Sequence, residues 1–460
     1  MINVTSRVPW TGTRRIAGRS RRAGSVATVL ALGSMLLAGC GTTADTPTAV
    51  PATAAPIAAT TAPTTVAAPT TAAAATSAPV TGDTILFGAP LGLTGSLSKE
   101  SKLTQQGYDL WKETVNAAGG ITVGGKQYKI DIKYYDDESK QDKSAQLAEK
   151  LINEDHVNFL LGPYGTSATQ STAAIAEKYE IPQVEGEGAA LKIFSQGYKY
   201  TFGVLSPAPN YLRGVVDMAA AQTPKPKTVV ILAANDAFSV EVADGAQQAA
   251  KDDGMTVAAY IKYPNAETNL TAQVTQAKAA NPDLILNSGH FAEAVAIVKA
   301  MKELGVNPMG AGFSVGPSLP DFKDTLQADA DYIYGGSQWT KDLKFQGDDP
   351  WVTPQAFYDA FVKRWGNEPS YQSAMAAACG LVFQKALAKA GSLDPKAVRD
   401  AIAATDFVSF AGHMKFNDQG INTFKPMVVE QWQSGAKQTV WPADAASGKP
   451  LWPMPAWDKR

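Results

Sequence analysis

The sequence predicts an α/β protein of two doubly wound lobes, and three observations predict it. From Asp83 onward, short β-rich runs alternate with amphipathic helical stretches, the rhythm of parallel sheets with helices on both faces. The alternation pauses at "YKYTFGVLSPAPN" and restarts at "KTVVILAA", which makes two series with a break near Ser206. Within the first series, "LLGPYGTSATQSTAAIAEKY" (160–179) reads as a strand, a glycine turn lined with hydroxyls, and a helix. Ligands of open parallel sheets bind beyond the carboxyl ends of the strands, and this turn lies at one of those ends.

The first forty residues stand apart from that body. Arg7, Arg14, Arg15, Arg19, Arg21 and Arg22 precede an apolar run from Val26 to Ala38, with no acidic residue before Asp45. A basic stretch followed by an apolar segment of this length is an export signal, short for a membrane span. It ends in Leu37-Ala38-Gly39-Cys40, which resembles a bacterial lipobox, where the cysteine is lipidated and becomes the new N-terminus. The alternative is an ordinary secretory signal with a chance cysteine. Residues 41 to 82 are almost wholly Ala, Thr, Pro and Val, with Asp45 the single charge. Such a segment has no varied core to bury, and its prolines favour extended conformations; about forty residues of polyproline II would reach on the order of 120 Å. The expected order is a signal peptide over 1–39, a lipidated Cys40 with a tether to residue 82, and a folded body.

Composition excludes several classes. The chain has 460 residues, 45% hydrophobic and 18% charged, which suits one large or two medium globular domains. Without residues 1–39, 35 basic residues face 43 acidic ones, a formal charge of −8. A net-acidic mature chain without a basic cluster argues against nucleic acid as partner. Cys379 would be the one cysteine besides Cys40, so no intramolecular disulfide is expected; its setting, "SAMAAACGLVFQKAL", reads as a buried, inert thiol. His156, His290 and His413 are scattered without spaced Cys/His partners, and no dinucleotide fingerprint follows the first strand, so neither metal nor cofactor is expected.

In the body, "TILFGAP" is a strand, "LTQQGYDLWKETVNAAGG" a helix stopped by a double glycine, "YKIDIKYYDD" a strand, "KSAQLAEKLINED" a helix, and "VNFLLG" the strand that enters the hydroxyl turn. In the second series "KTVVILAA", "MTVAAYIKY" and "DLILNSG" are strands, separated by the helices "VEVADGAQQAAKDD" and "NLTAQVTQAKAA".

The segments "PLGLTGSLSKES", "VNAAGGITVGGKQYKIDIKYYDDESK", "LLGPYGTSATQ" and "FAEAVAIVKAMKELGV" follow one another as in type I periplasmic binding proteins. The chain resembles the branched-chain amino-acid-binding (leucine/isoleucine/valine-binding-like) branch of these ABC-transporter solute receptors, over about residues 83–435. The resemblance implies two Rossmann-like lobes joined by a three-stranded hinge, with crossings near Ser206, Ser337 to Thr340, and His413 to Asn417. Lobe one would be about 83–206 and 340–412, and lobe two about 207–337 and 417–440. The Trp/Pro-rich end, 441–460, lies beyond the family body and is expected to pack along the surface.

The turn Gly162–Thr169 lacks the lysine of a phosphate loop. Its residues fit either capping of the following helix or contact with an anion or polarised carbonyl at the helix N-terminus. By resemblance, Tyr164, Gly165, Thr166 and Ser167 hold a ligand carboxylate. Glu187, Gly188 and Ala189 fall where the family's second ligand loop lies, with Ala189 in place of a frequent hydroxyl; surface acids are the other reading of Glu185 and Glu187. Phe238, His290 and Trp339 match family positions that close over the ligand, facing Tyr164, although each ring would also suit a core. "GFSVG" (312–316) matches the nucleophile elbow of hydrolases, but Pro317 and Pro320 obstruct the helix that the motif needs. At Ser314, by resemblance, amino-acid-binding members carry the acid that receives the α-ammonium group.

The expectation is a monomeric lipoprotein on the outer face of a bacterial cell membrane. It captures a small molecule between its lobes, hands it to an ABC permease and performs no catalysis. The alternatives are a ligand-sensing co-receptor ectodomain and a serine hydrolase using Ser314. The serine at 314 and the ring set predict an organic acid, amide or aromatic ligand in preference to leucine, isoleucine or valine.

Overall fold

Strands buried on both faces carry near-continuous apolar runs, and the central strands here do so: "TVVILAA" buries every residue after Thr228, and "LILNS" buries all five. The computed structural model describes residues 83–460, so Cys40 and the expected signal peptide and tether lie outside the described residues. The first series runs β1 (Thr84–Leu91), α1 (Ser98–Ala117), β2 (Ile121–Val123), β3 (Lys126–Asp136), α2 (Gln141–Asn153), β4 (Phe159–Leu161), α3 (Thr166–Tyr179), β5 (Gln183–Glu185), α4 (Leu191–Phe194) and β6 (Thr201–Gly203). Its six-stranded sheet has the order β2-β3-β1-β4-β5-β6 and is parallel apart from the β2–β3 hairpin.

The second series runs α5 (Arg213–Ala220), β7 (Thr228–Ala234), α6 (Ala237–Asp252), β8 (Thr256–Tyr263), α7 (Thr271–Ala279), β9 (Leu284–Ser288), α8 (Phe291–Glu303), β10 (Gly310–Phe313), α9 (Pro320–Leu326) and β11 (Tyr334–Ser337). The chain then adds α10 (Pro354–Trp365), α11 (Tyr371–Ala390), α12 (Pro395–Ala403) and a separate hairpin, β12 (Asp406–Ser409) with β13 (Gly412–Lys415). It ends in β14 (Val428–Gln433) and β15 (Ala436–Trp441), which join the second sheet antiparallel, in the order β15-β14-β11-β10-β9-β7-β8. The α/β class with parallel-dominated sheets is the one the sequence predicts.

Helix α11 returns to the first lobe and packs along α1. Small residues make this possible: a Cβ on Gly107 would lie 2.2 Å from the Ser373 carbonyl, and one on Gly380 would lie 2.0 Å from the Trp111 ring. Trp111 in turn packs on Phe87 at 5.3 Å between ring centroids, and Phe87 on Phe159 and Phe383 at 5.7 and 5.1 Å. Cys379 is fully buried beside Gly186, and burial pushes its thiol well up.

Three passages of chain between the sheets are tied together. The Ser206 N–H donates to the Gln338 side-chain oxygen at 2.9 Å, and the Gln338 amide donates back to the Ser206 carbonyl at 2.9 Å. In the third passage Ile421 bridges to Gly203, and the Asn422 amide donates to the His413 carbonyl at 2.7 Å. Lys425 Nζ donates to the Gln338 carbonyl. Buried amide-to-backbone bonds of this kind fix where the strands meet and leave their torsions as the remaining freedom.

The C-terminal segment straps the amino ends of the second sheet. Trp452 Nε1 donates to the Pro224 carbonyl at 2.9 Å, the Met454 N–H to the Met309 carbonyl at 2.8 Å, and Trp457 Nε1 to the Val306 carbonyl at 2.8 Å. The opposite ends of these strands remain open to the other lobe.

Candidate ligand-binding site

Strand β4 is fully buried and delivers the chain into Gly162–Gly165. Gly165 sits at φ +94°, a backbone that L side chains rarely adopt, and stands at the N-cap of α3. No side chain caps that helix, so the capping reading of Thr166 and Ser167 does not describe their geometry. They are the first two helical residues, where N–H groups lack intrahelical partners. Thr166 is buried and its hydroxyl accepts from Ala190 N–H at a long 3.4 Å. Tyr164, Thr166 and Ser167 share a cavity of about 200 Å³ with Asp236 and His290 of the second lobe.

The opposing wall comes from the carboxyl ends of β7 and β9. Asp236 caps α6, accepting from Ser239 N–H at 3.0 Å and from the Ser239 hydroxyl at 2.7 Å. His290, the residue before α8, lies 3.7 Å from Asp236 through Nε2. Burial works against a charged imidazole, but Asp236, with Glu293 and Glu100 behind it, outweighs burial and raises His290 to about 9. Burial likewise opposes ionisation of Asp236, and His290 and Ser239 hold it below the usual carboxylate range. Phe238 lies 5.6 Å from His290 and 5.0 Å from Tyr211, between ring centroids.

The lobes touch across this cleft. The Tyr164 hydroxyl is 3.4 Å from His290 Nδ1. A charged imidazole donates from both nitrogens, so the hydroxyl accepts and keeps its own proton to donate elsewhere. Glu100 Oε1 of α1 accepts from Phe291 N–H at 3.1 Å, and Glu241 of α6 accepts from Leu191 and Lys192 N–H at 2.7 and 3.2 Å. Lys99 pairs with Asp321. The arrangement is closed.

Glu187, Gly188 and Ala189 form a buried loop behind the hydroxyl turn. Glu185 Oε2 accepts from Glu187 and Gly188 N–H at 2.8 and 2.6 Å, and the Glu187 carbonyl accepts from Gly165 N–H at 3.3 Å. Both acids are buried rather than surface residues. Burial raises Glu185 to about 8, and raises Glu187 well above its ordinary value, with Glu185 and Glu100 adding to the rise and Thr104 and Lys425 opposing it. Ala189 offers its carbonyl to Ala208 N–H at 2.8 Å.

Of the predicted site residues, Tyr164, Gly165, Thr166, Ser167 and His290 line the cavity, whereas Glu187, Gly188, Ala189, Phe238, Ser314 and Trp339 do not. Ser314 is fully buried, and its hydroxyl donates to the Gly289 carbonyl at 3.0 Å and accepts from Gly289 N–H at 3.1 Å. It fixes the loop before His290 instead of lining the cavity. The helix after it begins only at Pro320, and His413 is paired with Asp406 at 2.7 Å in the β12–β13 hairpin, so Ser314 has no base. Trp339 packs against Phe357 and Phe410 at 5.5 and 6.3 Å, with Nε1 donating to the Phe410 carbonyl at 3.3 Å. It does not line the Tyr164 cavity. Sequence reasoning passed over Asp236, although its place three residues before Ser239 is a capping signal. Glu100 and Glu241 carry no comparable local mark.

Two α/β lobes, joined by three passages and closed over a cleft at the carboxyl ends of both sheets, define a hinged small-molecule binding protein. The periplasmic binding protein family profile matches residues 84–437, and the chain belongs to that family. Leu/Ile/Val-binding protein homolog 8 of Brucella abortus is 25% identical over 387 residues, 79% of this chain and 92% of its own. The fold is that of LivJ of Streptococcus pneumoniae in complex with isoleucine (TM-score 0.70, 23% identity, 78% of this chain and 100% of that one). It is also that of an R. palustris ABC-transporter solute-binding protein in complex with benzoate (TM-score 0.67, 18% identity, 77% of this chain and 95% of that one). Its family works outside the cytoplasm as binding proteins rather than as a class of enzymes. Among the described residues no helix is long and apolar enough to cross a membrane, and no cluster of metal-ligating side chains occurs.

Proposed function

We propose that this protein is a lipoprotein, anchored at Cys40 outside the cell membrane, that captures a small organic acid, amide or aromatic compound and delivers it to an ABC permease. The observation that carries this reading is the closure of Tyr164 and His290 over the first turn of α3. The ligand's carboxylate or carbonyl oxygen takes the N–H groups of that turn and the hydroxyls of Thr166 and Ser167. His290 and Tyr164 cover the remainder, with Phe238 packed behind His290. Both lobes line the cavity, the second through Asp236, Asn265 and His290, so ligand free energy drives the hinge toward closure. The work is binding alone, by a monomer, and Ser314 has no chemical role.

The ligand class follows from charge. An α-ammonium group taken from water needs a carboxylate partner. Ser314 is spent on Gly289, Asp236 on Ser239 and His290, and Asp137, which lines the same cavity, on Ser139 and Ser144, while the unpartnered Glu187 oxygens lie buried behind the turn and outside the cavity lining. The benzoate complex of the R. palustris relative fits this preference, and the Leu/Ile/Val name of the Brucella relative is the competing reading. Mass spectrometry of small molecules released on denaturing the purified protein separates them. An acid or amide without an α-amino group is expected. Recovery of stoichiometric leucine, isoleucine or valine would refute the assignment.

A further inference from the structure

A second cavity, of about 160 Å³, lies between the lobes on the side of Trp339. Ser318, Glu430 and Lys437 line it from the second sheet's side, and Trp339, Ser370 and Tyr371 from the other. It shares no lining residue with the Tyr164 cavity. A chain of ring contacts runs between the two, from Tyr371 to Tyr211, Phe238 and His290.

Most polar groups in this cavity are already paired. Asp342 accepts from the Thr439 and Ser447 hydroxyls at 2.9 and 2.7 Å, Glu368 accepts from Tyr358 at 2.7 Å, and Lys437 Nζ donates to the Ser318 carbonyl at 2.7 Å. Lys341 rests over the Tyr358 ring at 4.5 Å. Three buried atoms have no partner: Glu430 Oε1, Ser318 Oγ and Ser370 Oγ, on residues 3%, 2% and 2% exposed. Unpaired buried polar atoms are expensive and few in native proteins. An ionised carboxylate only accepts, so the partner that Glu430 lacks is a donor. The lining holds three acids, Asp342, Glu368 and Glu430, against two lysines, and the adjacent rings favour a cation.

We infer that this cavity is a second small-molecule site, for a compact primary ammonium compound whose N–H groups meet Glu430, Ser370 and Ser318 beside the rings of Trp339 and Tyr371. Residues from both sides of the cleft line it, so its occupation favours the closed lobes and couples positively to solute capture. The site is independent of the ligand class proposed for the Tyr164 cavity. Burial raises Glu430 to about 7, with Lys437 opposing and Glu368 and Asp342 adding to the rise. Ammonium binding therefore strengthens as the pH passes upward through neutrality.

Thermal melts of the mature protein test this, with methylammonium and ethanolammonium chlorides as probes against ethylene glycol and sodium acetate at matched ionic strength. Both ammonium salts are expected to raise Tm at about pH 8, and less at about pH 6. Glu430→Gln keeps the side-chain volume and should weaken the apparent affinity roughly tenfold or more. Ser370→Ala should also weaken it, and serves if the glutamine variant does not fold. The Thr166→Ala/Ser167→Ala protein should keep the response, which separates this site from the other. No shift with either ammonium salt, an undiminished shift in a folded Glu430→Gln or Ser370→Ala protein, or an equal shift with ethylene glycol would overturn the inference.

Discussion

The Tyr164 hydroxyl stands 3.4 Å from His290 Nδ1, although the two residues lie 126 positions apart and on opposite lobes. Their contact exists only when the cleft is closed, so it belongs to the free energy of capture. Tyr164→Phe keeps the ring and removes the bond. One net hydrogen bond contributes about 0.5–1.5 kcal/mol, so ligand affinity should fall roughly two- to twelvefold with the melting temperature of the free protein little changed. Titration calorimetry with the co-purified ligand gives the value, and unchanged affinity would remove this pair from the closure mechanism.

The hydroxyl turn should carry more. Thr166→Ala with Ser167→Ala deletes donors to a charged or polarised oxygen, worth about 1.5–3 kcal/mol, or roughly ten- to a hundredfold in affinity. Since neither residue caps α3, the double variant should fold normally by circular dichroism. A folded double variant of wild-type affinity would show that ligand does not contact these hydroxyls.

His290 sets a pH dependence whose sign follows from its environment. Its folded-state value of about 9 lies above the ordinary 6.5. The His290–Asp236 pair therefore contributes stability that is fully present below about pH 6.5 and is lost as pH rises through about 9. Glu185, raised to about 8, has the opposite preference to a stabilising carboxylate and also costs stability as pH rises above its ordinary value of 4.5. Melting temperature should thus decline from neutral to alkaline pH, and His290→Gln should flatten the decline between about pH 7 and 9. Identical profiles for the two proteins would show that His290 is not charged in the fold.

Anchoring should depend on Cys40. Acyl chains contribute about 0.8 kcal/mol per buried methylene, and stable attachment takes more than one chain. Cys40→Ala should leave unprocessed precursor or protein released from the membrane, which fractionation and intact-mass measurement distinguish. Lipid-modified mature protein in that variant would contradict the assignment.

The strand–helix body was legible because buried parallel strands and amphipathic helices leave local periodicities; "TVVILAA" and "LILNS" could hardly be read otherwise. The hydroxyl turn was legible for the same local reason, since a positive-φ Gly165 and the hydroxyl pair are adjacent in sequence. What closes the cleft was not. Glu100 meets Phe291 N–H across 191 positions and Glu241 meets Leu191 N–H across 50, and no periodicity records such pairs. Ser314 and Trp339 show the complementary limit. Their residue types suited the Tyr164 cavity, but whether a hydroxyl faces a cavity or Gly289, or an indole lines that cavity or the one beside Tyr371, is decided by packing.

The central claim is that the α3 turn holds an oxygen-bearing group in a cavity whose lining carboxylates, Asp137 and Asp236, are already paired within the protein. A thermal-shift panel of benzoates, short-chain organic acids and amides against leucine, isoleucine and valine tests it most directly, because a ligand present at a hundredfold its Kd stabilises the folded state by about 2.7 kcal/mol. Clear stabilisation by a member of the acid and amide set, with little or none by the branched-chain amino acids, is the predicted result. Strong stabilisation by leucine, isoleucine or valine, with none by the acids and amides, would contradict it.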